Sequence, residues 1–186
     1  MKRKIIIDFS AVIDLSRLKE LILYIAEKSQ KDPRFGALKL NKILYYSDFI
    51  GFRELGHSIT GATYQHLSEG PAPKEFLVAV EELEDEEACT YKTKPYFNYS
   101  QRRIIPNRPA NTNLFKSKEL KLVDIVIKEL WEFNGTEARN LTHEEWGWKL
   151  TEDGEEIPYR TAWLSAEPLT QEQIANGLRL WKKISA

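Results

Sequence analysis

Apolar residues recur at helical spacing through two consecutive stretches near the start of the chain, and a sharp break separates them. Leu18, Leu21, Ile22, Ile25 and Ala26 mark one face of a helix over residues 17–30. Ser16 is placed to cap it. Asp32-Pro33 and Gly36 interrupt the pattern. Leu40, Ile43, Leu44, Ser47 and Ile50 then form the inner stripe of a second helix, about 37–54, closed by Gly56 in a left-handed position. Two adjacent amphipathic helices must bury their stripes against something, which commits the chain to a helical layer early.

The pattern then changes. Residues 58–66 alternate β-branched or aromatic residues with polar ones and predict an extended segment. Glu69-Gly70-Pro71-Ala72-Pro73 is expected to launch a third helix, with proline in its first turn and Phe76, Leu77, Val80 and Leu83 inward. Residues 90–94 and 99–105 predict a hairpin with Pro95 and Asn98 near its turn, and 106–113 is a loop by composition. A fourth helix over 117–133 is apolar nearly all round and is expected at the centre, ended by Asn134-Gly135. Capping boxes are read at Thr142 with Glu145 and at Thr170 with Gln173, the second opening a last helix over 170–185 that turns Ile174, Leu178 and Trp181 inward. The expected fold is mainly α: a single-domain bundle of about five to seven helices with a small β-hairpin or sheet element. A core over 17–148 is followed by an extension, 149–186, ending in a helix.

Charge is unevenly distributed although the net is only −1. Residues 88–118 carry seven bases and no acid, directly after the acidic run Glu81-Glu82-Leu83-Glu84-Asp85-Glu86-Glu87. The first reading is that the two runs lie close and partly neutralise one another; the alternative is a positive surface for an acidic partner. The single cysteine, Cys89, excludes an internal disulfide framework and a four-cysteine zinc site. The apolar run near the start stops after three isoleucines, and no stretch is long and apolar enough to span a bilayer. These features point to a soluble protein of the cytoplasm, without a membrane partner.

No pattern here carries chemistry. His57, His66 and His143 have no second His or Cys within four positions, so no metal site is expected. Nothing around Cys89 would lower its pKa. The glycines match neither phosphate-binding nor dinucleotide-binding spacing. The chain is therefore expected not to be an enzyme and to need no cofactor. Aromatics are more telling. Tyr91, Tyr96, Phe97 and Tyr99 stand among Arg102, Arg103 and the lysines of the basic block, a mixture suited to a protein interface or to stacked bases. Trp146, Trp148 and Trp163 fall in a turn-rich segment, and would mark a partner site if exposed.

Leu38-Lys39-Leu40-Asn41-Lys42-Ile43-Leu44-Tyr45-Tyr46-Ser47-Asp48-Phe49 resembles the signature helix of the Panacea domain, the SocA-like antitoxin domain found in phage-associated proteins. The resemblance continues through Gly56-His57-Ser58-Ile59-Thr60-Gly61-Ala62-Thr63-Tyr64, Glu69-Gly70-Pro71-Ala72-Pro73 and Leu141-Thr142-His143-Glu144 with Trp146. It implies a mostly helical fold and the antitoxin half of a toxin–antitoxin system, neutralising a cognate toxin by direct contact. Recruitment of a protease or chaperone is a secondary implication.

The signature residues are expected to be scaffold: Leu40, Lys42, Tyr45, Tyr46, Asp48, Gly56, Thr60, Gly61, Tyr64, Gly70, Pro71 and His143. Partner choice then falls to the hairpin residues Tyr91, Tyr96, Phe97, Tyr99, Arg102 and Arg103 and to Trp146, Trp148 and Trp163. The competing reading is a nucleic-acid-binding regulator using residues 90–118, although nucleic acid is not expected as the main partner.

Overall fold

A computed structural model describes residues 13–96 and 99–164, together with Ala175 and Arg179. Of Tyr96 and Tyr99 only the backbone is described. Helix α1 spans Leu15–Lys28 and α2 spans Ala37–Leu55. Asp14, not Ser16, caps α1, its carboxylate accepting the Arg17 N–H at 3.1 Å. A carboxylate at this position also suits the positive end of the helix dipole. Between the two helices lies an ion pair that the sequence pattern did not reveal. Lys39 Nζ sits 2.6 Å from Asp32 Oδ2 and 2.9 Å from the Trp131 carbonyl, and the side chains of Lys39 and Asp32 are both buried.

The strands β1 (Tyr64–Gln65) and β2 (Ala72–Pro73) pair antiparallel, Tyr64 opposite Pro73. Pro71–Pro73 therefore belongs to an extended segment, and α3 begins only at Phe76, running to Asp85. Phe76, Val80 and Leu83 are buried as expected, but Leu77 is 64% exposed. The buried stripe is Phe76, Ala79, Val80 and Leu83, and Leu77 falls outside it on the solvent side. Strands β3 (Cys89–Tyr96) and β4 (Tyr99–Pro106) form the expected hairpin, with Cys89 opposite Pro106 and Tyr96 opposite Tyr99.

Helix α4 spans Ser117–Glu129 and is amphipathic rather than central. Val123, Val126 and Ile127 are buried, whereas Ile125 is 53% exposed. The central helix is α2, which touches α1, α4, the hairpin, β2 and the helix that follows α4. Asn134 does not merely stop α4: it caps α5 (Gly135–His143), accepting from Glu137 N at 3.0 Å while Glu137 accepts from Asn134 N at 2.7 Å. This is the capping box of the region. Thr142 lies inside α5 and donates to the Arg139 carbonyl, so the box expected at Thr142–Glu145 does not form. Glu145 instead precedes α6 (Trp146–Lys149). The expected helix over 170–185 falls outside the described residues apart from Ala175 and Arg179, which are helical and exposed.

The core joins Leu18, Leu21, Ile22 and Ile25 of α1 to Leu40, Ile43 and Leu44 of α2, with Phe35, Phe76, Val80 and Val123 around them. The fold is mainly α: six helices with two small antiparallel sheets among the described residues.

The acidic and basic runs are neutralised chiefly through α1 rather than by one another. Lys19 pairs with Glu82 and Glu86, and Arg108 grips Glu20 with both nitrogens. Glu84 reaches across directly, its carboxylate accepting the Tyr91 N–H at 2.7 Å, and Asn107 Nδ2 donates to the Glu87 carbonyl at 3.1 Å. Among the described residues no helix is long and apolar enough to cross a membrane.

Candidate protein-interaction site

Asp48 is fully buried on α2 and would be costly as an unpaired carboxylate. It accepts from Thr60 N at 2.7 Å, from the Thr60 hydroxyl, and from Tyr64 OH at 2.9 Å. Burial raises its pKa against the opposing pull of these bonds. One carboxylate thus fastens the whole 56–64 loop to the helix. Gly56 and Gly61 turn that loop with φ of 80° and 74°.

Six residues earlier on α2, Lys42 is 1% exposed and donates to the Pro71 carbonyl at 2.8 Å. Burial drives its pKa down to about 7, with Arg139 adding to the effect and Glu69 opposing it. Gly70, at φ 80°, lies directly above: a Cβ there would stand 2.7 Å from Thr142 Oγ1 and 2.9 Å from Lys42 Nζ. The Gly70-Pro71 pair is therefore the lid over a buried lysine, and α5 closes it from the other side.

Tyr45 and Tyr46 face a cleft of about 100 Å³ with Phe49, Ile50, Glu145 and Gly147. Tyr45 is 2% exposed and packs against Phe49 at a ring separation of 4.2 Å. Tyr46 OH lies 3.5 Å from the Glu145 carboxyl, whose pKa is raised by burial. Burial likewise raises the phenol pKa of both tyrosines. Trp148 is clamped between two imidazoles, His143 at 3.9 Å and His66 at 4.1 Å. His66 Nδ1 also meets Thr151 Oγ1 at 3.1 Å. Desolvation lowers the His143 pKa, and Arg139 adds to it.

Residues 154–159 run across this motif loop. His66 N donates to Glu155 O, Gly154 N to His66 O and Ile157 N to Tyr64 O, each at 2.8 Å, and Tyr159 OH donates to Ala62 O at 2.6 Å.

The segments brought together are those of the signature, and the residues they contain bond mainly to one another. The model of the antitoxin SocA-like family, Panacea domain, matches residues 40–149. The chain belongs to this family. No curated protein and no solved structure matches it.

In this Panacea domain the two sets of expected partner residues sit against different elements. The hairpin rests on α1, α2 and α3, whereas the turn carrying Trp163 rests on α2 and α6. Arg103 anchors the hairpin root, donating to the carbonyls of Asp32, Ser29 and Gln30 at 2.9, 3.1 and 2.7 Å. Arg102 points outward, its guanidinium 4.0 Å above the half-buried Tyr91 ring. Lys92 and Lys94 are exposed. Phe97 and the side chains of Tyr96 and Tyr99 lie outside the described residues. Trp146 and Trp148 are half-buried, and Trp163 is 51% exposed over Phe52, with ring centres 5.0 Å apart. Of the seven bases between 88 and 118, Arg103 and Arg108 are thus engaged inside the fold, which weakens the case for a continuous phosphate-binding track.

Cys89 is buried, and desolvation lifts its pKa to about 11. Among the described residues no group of three or more His, Cys, Asp or Glu side chains could hold a metal. The sequence reading missed Tyr159, Arg17 and the pairing of His66 with His143. Arg17 binds Ile59 O, Leu114 O and Glu119, joining α1 to the start of α4. None of these lies on a stripe whose spacing points to its partner, and each contact joins segments far apart in sequence.

Proposed function

We propose that this Panacea-domain chain is the antitoxin of a two-gene system and neutralises its cognate protein toxin by covering it, without catalysis. The observation that carries the reading is the inward use of the signature polar groups. Asp48, Thr60, Tyr64, Lys42 and Pro71 satisfy one another within the fold, as residues shared for stability should. The outward groups are different in kind: Arg102 stacked on Tyr91, exposed Lys92 and Lys94, and Trp163. Aromatic and arginine side chains of this sort are what protein interfaces favour. Delivery of the toxin to a protease is a further part of the proposal.

The test is co-expression with a candidate toxin, a small reading frame to be sought beside this gene. That frame alone should arrest growth, co-expression should restore it, and the two proteins should co-purify. Growth arrest that persists despite folded, abundant antitoxin would reject neutralisation by this chain. Chain-dependent shortening of the toxin's half-life would support the adaptor role, and an unchanged half-life would dismiss it.

A further inference from the structure

The C-terminal half of α2 and the outer face of α4 enclose a groove of about 310 Å³. Its floor is formed by Ile50, Leu122, Ile125 and Val126. Ile125 is 53% exposed at its centre. Lys118 and Lys121 form one rim. Lys118, Lys121, Leu122 and Ile125 are spaced i, i+3, i+4 and i+7 along α4, so base and apolar floor form one continuous stripe. The one acid at the groove, Glu54, already accepts from Arg53 Nε at 2.8 Å. Neither rim lysine forms an ion pair with the described residues. An adjoining cleft, lined by Glu54, His57, Lys116, Lys118 and Glu119, carries both signs of charge, so the positive border is confined to Lys118 and Lys121.

An open apolar trough of this kind is what an amphipathic helix fills, and the charge at its border selects the helix's sign. We propose that the α2–α4 groove receives an acidic amphipathic helix of a protein partner. The proposal rests on the interaction role given above and adds the location and the chemistry of the surface. Seven residues of α4 cover about 10 Å, so the incoming helix presents about two turns of apolar side chains. Asp or Glu residues on its flank face Lys118 and Lys121. The groove is separate from the hairpin, and its floor lies within the family's shared segment.

The experiment uses the full chain and three synthetic 18-residue peptides. One carries leucines at i, i+3, i+4 and i+7 with glutamates on the flanks; the second replaces glutamate with lysine; the third scrambles the first. NMR titration of the wild type with the acidic helix should shift the signals of Ile50, Leu122 and Ile125. Ile125→Asp should weaken binding at least tenfold. The Lys118→Glu/Lys121→Glu pair should do the same and transfer the preference to the basic peptide. Both changes lie on exposed positions, and unchanged melting temperatures verify the fold. No shifts at millimolar peptide, or equal binding of the scrambled or basic peptide to the wild type, overturn the proposal. So do self-association abolished by Ile125→Asp, which assigns the groove to a second copy, and nuclear Overhauser contacts from the groove to residues 165–186. Because no toxin is involved, failure here leaves the antitoxin reading standing, and failure of the co-expression test leaves this one standing.

Discussion

Replacing Lys42 by methionine should flatten the alkaline rise in stability of this protein. The ammonium is enclosed by the Gly70-Pro71 lid and α5, and its pKa falls from 10.5 to about 7. The unfolded chain therefore binds this proton more tightly than the folded one. Stability rises with pH through the interval from about 7 to 10.5, and the full penalty of burying the charge is felt below pH 7. At 1.36 kcal/mol per pKa unit the whole interval corresponds to about 5 kcal/mol, and relaxation around the ammonium reduces the observable to roughly half. Methionine keeps the length of the stem and carries no proton. Urea unfolding of both proteins at pH 6, 7, 8 and 9 isolates the effect, since titrations common to both cancel in the difference. The wild type should gain about 1–2 kcal/mol relative to Lys42→Met between pH 7 and pH 9. Parallel profiles, within about 0.5 kcal/mol, would refute the reasoning and place a water-accessible ammonium at this position.

Asp48→Ala strands the Thr60 N–H, the Thr60 hydroxyl and the Tyr64 hydroxyl, and should cost about 3 kcal/mol or more in chemical denaturation. Gly70→Ala combines a left-handed φ with a Cβ in contact with Thr142 and Lys42; a loss of about 1–3 kcal/mol is expected, and an unchanged melting temperature would mean the lid can lift freely. Arg103→Ala releases three carbonyls of the α1–α2 turn and should raise amide exchange across β3 and β4 about tenfold, while Arg102→Ala should not. Cys89, with its thiol pKa lifted to about 11, should react with iodoacetamide at pH 8 about a hundredfold more slowly than a free cysteine.

The parts of the fold written in local periodicity were legible. The stripes of α1 and α2, the hairpin and the left-handed glycine at 56 all follow from spacing and residue type. The errors came where two motifs share the same residues. Pro71 suits the first turn of a helix and also a short strand, and the pairing with Tyr64 decides for the strand. Thr142-His143-Glu144-Glu145 matches a capping box, but the real box, Asn134 with Glu137, starts the helix eight residues earlier and places Thr142 inside it. Helix α4 looked apolar all round because sequence does not say which stripe a neighbour will cover; α2 and α1 cover Val123 and Val126 and leave Ile125 out. At the candidate site, internal bonding could be expected for Asp48, a polar group on an apolar helix, whereas Lys42 was marked only by the family resemblance. The clamp of His66 and His143 on Trp148 could not be expected, because it joins residues 77 and 82 positions apart without a periodic signal.

The ladder from residues 154–159 onto Ala62, Tyr64 and His66 has a practical corollary. The hereditary unit, ending at residue 149, is shorter than the physical one. A polypeptide trimmed at that border would shed the Tyr159 ring from Phe49 and Phe52 and lay open an oily face of α2. Dissection or grafting of this domain should therefore keep the chain intact through at least Trp163.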